Sequence, residues 1–321
     1  MSHQTVYAGI DIGGTNIKYG LVDEKGKVLY RELRPTLAEK GAVPLMHLVT
    51  NIAEKLMYHA AEEDYPVKYI GVGTPGCVDN RTGKVLGASP NIPGWKGMEI
   101  GENLKDRLNM PVFVDNDANA MALAELRFGA AIGSQSVVCV TVGTGVGGAV
   151  IIEGKLWRGA NFSAGELGHM TINFNGPEHA GLKGSIEGYC SSHAIMSRVK
   201  ARLEHGLTPE FEEALEGSIS NLSIKRVFAA LKKGDTIAKE VVEETAGYLG
   251  IGLAGVVNLL NPQVIVIGGG IVDGGGGFLE AVTTTIKKHA FPSATEKLLV
   301  TRAVLGNDAG FIGAGLLGES L

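Results

Sequence analysis

The sequence predicts an α/β protein made of two related domains that face each other across a cleft. Three observations carry this. Strand-like apolar runs alternate with runs of helical spacing, the pattern of sheets flanked by helices. A strand–glycine turn–strand unit occurs twice, with Gly13 and Gly143 set 130 residues apart. And 321 residues suffice for two domains of ordinary size.

Taken in order, MSHQTVYAGIDIGG enters a strand at once, without a basic or apolar leader, so no targeting segment is expected. DIGGTNIKYGLV (Asp11–Val22) aligns beneath TVGTGVGGAVII (Thr141–Ile152): Gly13 meets Gly143, Ile12 meets Val142, and Leu21-Val22 meet Ile151-Ile152. A short turn and another strand follow each. The period is domain-sized, which points to duplication; the alternative is that two β-meanders resemble each other by chance. VPLMHLVTNIAEKLMYHAAEE places Leu45, Leu48, Ile52 and Leu56 at helical spacing. VKYIGVGTPG reads as a strand closed by a Gly/Pro turn, MEIGENLKDRLN as a helix, PVFVDND as a strand, and ANAMALAELRFGAA as an Ala-rich helix. The uncharged stretch Ala246–Val272 has the length of a membrane span. Asn258, Asn261, Pro262 and Gln263 interrupt it, so it parses as a buried helix to about Leu260, a turn, and a strand Val264–Ile267 ended by three glycines.

Composition narrows the function. A hydrophobic share of 45% and a charged share of 20% suit a globular protein. The net charge of −5 argues against a nucleic-acid binder. Cys77, Cys139 and Cys190 are odd in number and far apart, without a disulfide framework or a CxxC pair, which points to a reducing compartment. GTGVGG satisfies GxGxxG, but a dinucleotide turn must open a helix. Here the glycines run into AVII and the turn Glu153-Gly154, so the unit is a hairpin whose backbone N–H groups can still cradle phosphate.

Polar groups collect at four strand ends, where α/β folds place their chemistry: Asp11 with Thr15, Thr74-Pro75-Gly76, Asn116-Asp117, and Gly143-Thr144-Gly145. Asp117 is the candidate general base, able to take a proton from an attacking hydroxyl. It could also be a helix N-cap, though capping explains one residue of DNDAN rather than all of it. SAGELGHM holds Glu166 and His169 three apart, either a solvated loop or, with Glu187 of GSIEG, a sugar clamp.

DIGGTNIKYGLVD, GTPGCVD, SPNIPGW, VDNDANAMALAE, VGTGVGGAVI, GELGHM, SIEGY and VIGGGI, in this order, resemble the ROK sugar kinases (repressor, open reading frame, kinase) of the actin-like ATPase superfamily, over almost the whole chain. The resemblance implies two actin-like (ribonuclease H-like) α/β domains, one of residues 1–116 completed by about 307–321, the other of 117–306. It implies that Gly13, Gly14, Thr15 and Asn16, with Asp11 and Lys18, form the first phosphate motif. Gly143, Thr144 and Gly145 match the second, and Gly268, Gly269 and Gly270 the adenosine-side turn. Asp117 matches the catalytic base. Asn91, Asn116, Glu166, His169 and Glu187 match sugar contacts, together with Gly76 and Asp117. ATP and Mg²⁺ are the implied cofactors, and SPNIPGW looks more glucokinase-like than fructokinase-like. The implied activity is phosphorylation of a hexose, glucose foremost, at its primary hydroxyl; N-acetylmannosamine, N-acetylglucosamine and fructose are the alternatives. A cytoplasmic homodimer or larger homo-oligomer is expected, with domains that close on the sugar. The family also holds sugar-responsive repressors with an N-terminal helix-turn-helix. A phosphate motif beginning by Asp11 leaves no room for one, and neither nucleic acid nor membrane is an expected partner.

The sequence departs from the family at its zinc site, which joins the GELGHM-type histidine to three cysteines in a CxCGxxGCxE pattern. In GPEHAGLKGSIEG, Glu178 or His179, Ala180 and Ser185 occupy the cysteine positions. Only His169 of the set remains, so no metal site is expected, and the sequence does not reveal what holds the loop instead.

Overall fold

A computed structural model describes residues 5–87, 92–275 and 277–319. The chain divides into two compact units, Met1–Gln135 with Ala149–Gly165 and Val304–Leu321, and Ser136–Gly148 with Glu166–Ala303.

The first unit opens with the meander β1 (Val6–Ile12), β2 (Asn16–Asp23) and β3 (Val28–Pro35), followed by helix α1 (Ala42–Glu62) and β4 (Val67–Thr74). The ribbon β5 (Val78–Asp79) and β6 (Lys84–Val85), helix α2 (Ile100–Leu108), β7 (Val112–Asn116) and α3 (Asp117–Phe128) come next. The sheet order is β3-β2-β1-β4-β7. β1 and β2 pair antiparallel, whereas β1, β4 and β7 run parallel. Leu45, Ile52 and Leu56 of α1 are buried with Ile10, Ile12 and Ile17 of the sheet, as the helical spacing predicts.

The remaining strands are β8 (Val137–Val142), β9 (Val146–Ile152), β10 (Lys155–Leu156), the ribbon β11 (Glu178–His179) and β12 (Leu182–Lys183), then β13 (Val264–Gly268) and β14 (Leu299–Arg302). The second large sheet has the order β10-β9-β8-β13-β14, with β8, β13 and β14 parallel. It repeats the first sheet strand for strand, an antiparallel meander followed by two parallel strands, which is what duplication predicts. The second unit carries the helices α4 (Ile186–Cys190), α5 (Ser192–Arg202), α6 (Pro209–Ala214), α7 (Ile224–Lys232), α8 (Thr236–Leu260), α9 (Gly270–Asp273), α10 (Phe278–His289) and α11 (Pro292–Thr295). Helix α8 ends where the Asn-Pro signal places its end, with Asn261 in the left-handed region at φ 43°. No helix among the described residues is long and apolar enough to cross a membrane.

Helix α12 (Ala309–Gly315) returns to the first unit. Its glycines let backbone lie on backbone: an ideal Cβ on Gly313 would sit 1.6 Å from the Ala120 carbonyl oxygen. The buried Glu125 of α3 adds a second tie, accepting hydrogen bonds from the N–H groups of Val304 (3.0 Å), Leu305 (2.9 Å) and Ala130 (2.8 Å). These two contacts hold α3 in the first unit. Helix α3 lies in the first unit, which runs to Gln135 and resumes at Val304. The segment Ala149–Gly165 joins the first unit as well. The Cys77 thiol donates to the carbonyls of Asn161 and Phe162 at 3.4 and 3.3 Å.

Candidate functional site

In the first unit, the parallel strands bring three of the candidate groups to one sheet edge. Asp11 of β1 is in register with Gly73 of β4, and Thr74 with Asn116 of β7. The turn after β1 closes through a hydrogen bond from Gly13 N–H to the Asn16 carbonyl, 3.0 Å. Thr36, which sequence reasoning missed, laces this turn: its hydroxyl donates to the Gly13 carbonyl (2.6 Å) and its N–H to that of Thr15 (2.9 Å). Gly14 and Thr15 remain exposed.

Asp11 is half-buried. It faces α12, where an ideal Cβ on Gly310 would lie 2.3 Å from its carboxylate, so glycine is what makes room for it. Burial pushes its carboxyl up from 3.8 to about 6, against the pull of Lys18 across the strand pair. The folded state then binds this proton more tightly than the unfolded chain, so Asp11 favours folding at low pH and loses that contribution as pH rises through about 6. Melting curves of wild type and Asp11→Asn should therefore diverge, the variant gaining relative stability between pH 4 and 7. Parallel curves across that range would contradict this environment.

At the end of β7 the motif DNDAN divides its tasks. Asn116 is the N-cap of α3, accepting from Ala118 N–H (2.8 Å) and Asn119 N–H (3.3 Å), and its amide donates to the Gly76 carbonyl at 3.1 Å. Asp115 is buried, its side chain 3% exposed, and takes hydrogen bonds from Arg158 Nε (2.7 Å), the Asn119 amide (2.8 Å) and the Asn116 N–H (2.7 Å). Asp117 opens the helix, half-buried, with its Oδ1 accepting from Ala118 N–H at 2.9 Å. Arg158 lies 43 residues from Asp115, and no local signal links them. Asn91 lies outside the described residues.

In the second unit Gly145, Glu187 and Gly168 meet at Val146. The turn after β8 closes from Gly143 N–H to the Gly145 carbonyl, 2.9 Å, and Ser192 donates both its N–H and its hydroxyl to the Gly143 carbonyl, each at 2.8 Å. Thr144 is exposed. Glu187 Oε2 accepts the Val146 N–H at 2.8 Å, and Gly145 has no room for a Cβ because that same oxygen would be 2.4 Å away. Gly168, in the 3-10 turn Leu167–His169, also approaches Val146, with an ideal Cβ 2.2 Å from its carbonyl oxygen. Glu166 and His169 stand 3.9 Å apart, both about half exposed. Gly269, at φ 101°, lies against the Val142 backbone, and Gly270 faces open space.

Duplicated sheets, each with an exposed glycine turn after its first strand, define a two-domain α/β protein of the actin-like type. A model of the ROK family matches residues 7–320. The chain belongs to the ROK family. It is 33% identical over 307 residues to the glucokinase of Thermotoga maritima, 95% of either chain. It is 31% identical over 284 residues to the xylose repressor of Caldicellulosiruptor bescii, covering 88% of this chain and 70% of the repressor. Among solved structures, a ROK family glucokinase from Streptomyces griseus in complex with glucose and AMPPNP is similar at a TM-score of 0.83 and 33% identity, with 98% of each chain covered.

The zinc set implied by the resemblance does not fit these residues. Among the described residues no three His, Cys, Asp or Glu side chains are grouped to hold a metal. Cys190 faces the Thr245 carbonyl, and burial pushes its thiol up to about 12, whereas zinc binds thiolate. The loop has other supports. β11 and β12 form a hairpin over Ala180 (φ 49°) and Gly181 (φ 78°). Gly184 N–H donates to the Pro177 carbonyl and Ile172 N–H to the Gly184 carbonyl, each 2.8 Å. The Asn173 amide donates to the Tyr189 hydroxyl at 2.9 Å, and Tyr189 stacks on Tyr248 at 4.0 Å. The purified protein should accordingly contain no stoichiometric zinc, and chelators should leave its melting temperature unchanged. About one zinc per chain by elemental analysis would overturn this.

Proposed function

We propose that this chain is an ATP-dependent hexose kinase that phosphorylates the primary hydroxyl of its sugar, with glucose the first candidate. The observation that carries the reading is the place of Asp117, a half-buried carboxylate directly after a parallel strand, beside the helix cap Asn116. Asp115, Asn116 and Asn119 brace the helix start around it. Asp117 is the group proposed to take the proton of the attacking hydroxyl. The identity to a named glucokinase and the likeness to a glucokinase holding glucose and AMPPNP support the same activity.

The exposed turns Gly13–Asn16 and Gly143–Gly145 are suited to hold the ATP phosphates through backbone N–H groups, and the glycines Gly268–Gly270 to border the adenosine. Asp11, an oxygen donor beside the first turn, would suit a magnesium ion, which takes oxygen ligands. When bound, the ion would supply charge neutralisation on the phosphates. Glu166, His169, Glu187, Asn116 and Gly76 are the proposed sugar contacts. Their task is orientation, since phosphoryl transfer is catalysed mainly by positioning and electrostatics.

A coupled assay with ATP and Mg²⁺ over glucose, N-acetylmannosamine, N-acetylglucosamine and fructose tests the proposal. Turnover of one hexose, with little ATP hydrolysis when sugar is omitted, is the expected result. Sugar binding without turnover, joined to DNA binding at low salt, would favour a regulator, the reading to which the repressor relative points; the net charge of −5 weighs against it.

A further inference from the structure

We propose that His179 is a positioning residue for the second glycine turn, acting through Glu187. His179 Nε2 lies 3.0 Å from Glu187 Oε1, while Glu187 Oε2 accepts the Val146 N–H at 2.8 Å. An ionised carboxylate only accepts, so Nε2 carries the proton in this contact. One carboxylate thus ties two elements together: the β11–β12 hairpin on one side and the residue that follows Gly145 on the other.

The hairpin is a fixed anchor. Its two-residue turn has both central residues at positive φ, the geometry that matches strand twist. Backbone hydrogen bonds from Gly184 and Ile172 seat it, and an ideal Cβ on Gly184 would lie 1.7 Å from the Asn173 carbonyl oxygen, so the packing there is tight. Glu187 itself rides on α4, whose N-cap Ser185 accepts from Gly188 N–H at 3.1 Å. A glutamate has three side-chain torsions, and the Val146 N–H alone leaves Oε1 untethered. His179 removes that freedom. Each carboxylate oxygen keeps a second lone pair, so Glu187 can still accept a sugar hydroxyl while it is held. In the stretch where the resemblance implies cysteines on a metal, this chain places a histidine that reaches the glycine turn through a side chain.

The kinetic part of this inference rests on the kinase reading; the structural part does not. The test compares His179→Ala with His179→Gln, whose amide N–H can donate to Glu187 in place of the imidazole. Hydrogen exchange of the Val146 amide is measured in the protein without ligand. In His179→Ala it should quicken about tenfold, because a hydrogen bond to a held carboxylate is lost in part. In His179→Gln it should stay near wild type, and the amides of α8 should be unchanged in both. Unchanged exchange at Val146 in His179→Ala would overturn the proposal. So would uniform acceleration through α8, which would mean that His179 only stabilises the unit. With ATP and the cognate hexose, His179→Ala should raise KM for ATP about tenfold, and His179→Gln should restore it. An unaltered KM would overturn the positioning role, whereas a wild-type protein without kinase activity would sink the kinase reading and leave the exchange result to decide the brace.

Discussion

Asp117→Asn should lower kcat by about 10²-fold or more while hexose affinity stays near that of the wild type. The substitution keeps the size of the side chain and its place in the first turn of α3, and an amide oxygen can still accept the Ala118 N–H. On the proposed reading, it removes the group that accepts the proton of the sugar hydroxyl. Asn116 continues to cap the helix through Ala118 and Asn119, and Asp115 keeps its own partners. A purely structural Asp117 would instead show its loss in stability, with kcat preserved. Steady-state kinetics beside calorimetric sugar binding separates the two. A kcat within a few-fold of wild type would remove Asp117 from the chemistry.

Arg158→Met should destabilise the protein by about 3 kcal/mol, because it leaves Asp115 a buried carboxylate without its cation. The ion pair is short, 2.7 Å, and its arginine is only 15% exposed, so solvent cannot compensate as it does at a surface pair. Asn119 and the Asn116 N–H remain as partners and limit the loss. The double variant Arg158→Met, Asp115→Asn should recover part of it, since the buried charge is then gone. Urea unfolding of the two single variants and the double variant measures the coupling. Additive losses would mean that the pair holds nothing together.

Much of the fold is legible in the sequence because it follows from short-range periodicity and breakers. Leu45, Ile52 and Leu56 mark α1 by spacing, and Asn261-Pro262 divides α8 from β13 inside an uncharged run. The duplicated glycine turns foretell the duplicated sheet order, since the same local pattern builds the same meander. What sequence reading misses is long-range and polar. Glu125 meets Val304 and Leu305 across about 180 positions, with no local signal to announce it. Arg158 finds Asp115, and Thr36 finds Gly13, with no pattern near either to announce it. His179 lies in a stretch that reads as emptied of its cysteines. Only the hairpin geometry shows that it is occupied with Glu187.

Phosphoryl transfer itself is the most direct test of the central claim. The protein is incubated with ATP, Mg²⁺ and each hexose in turn, and the products are followed by phosphorus NMR. The expected product is a phosphomonoester on the primary hydroxyl of one hexose, formed in step with ADP, with little ADP when no sugar is present. ADP and inorganic phosphate appearing at the same rate with or without sugar, or no phosphoester with any hexose, would contradict it.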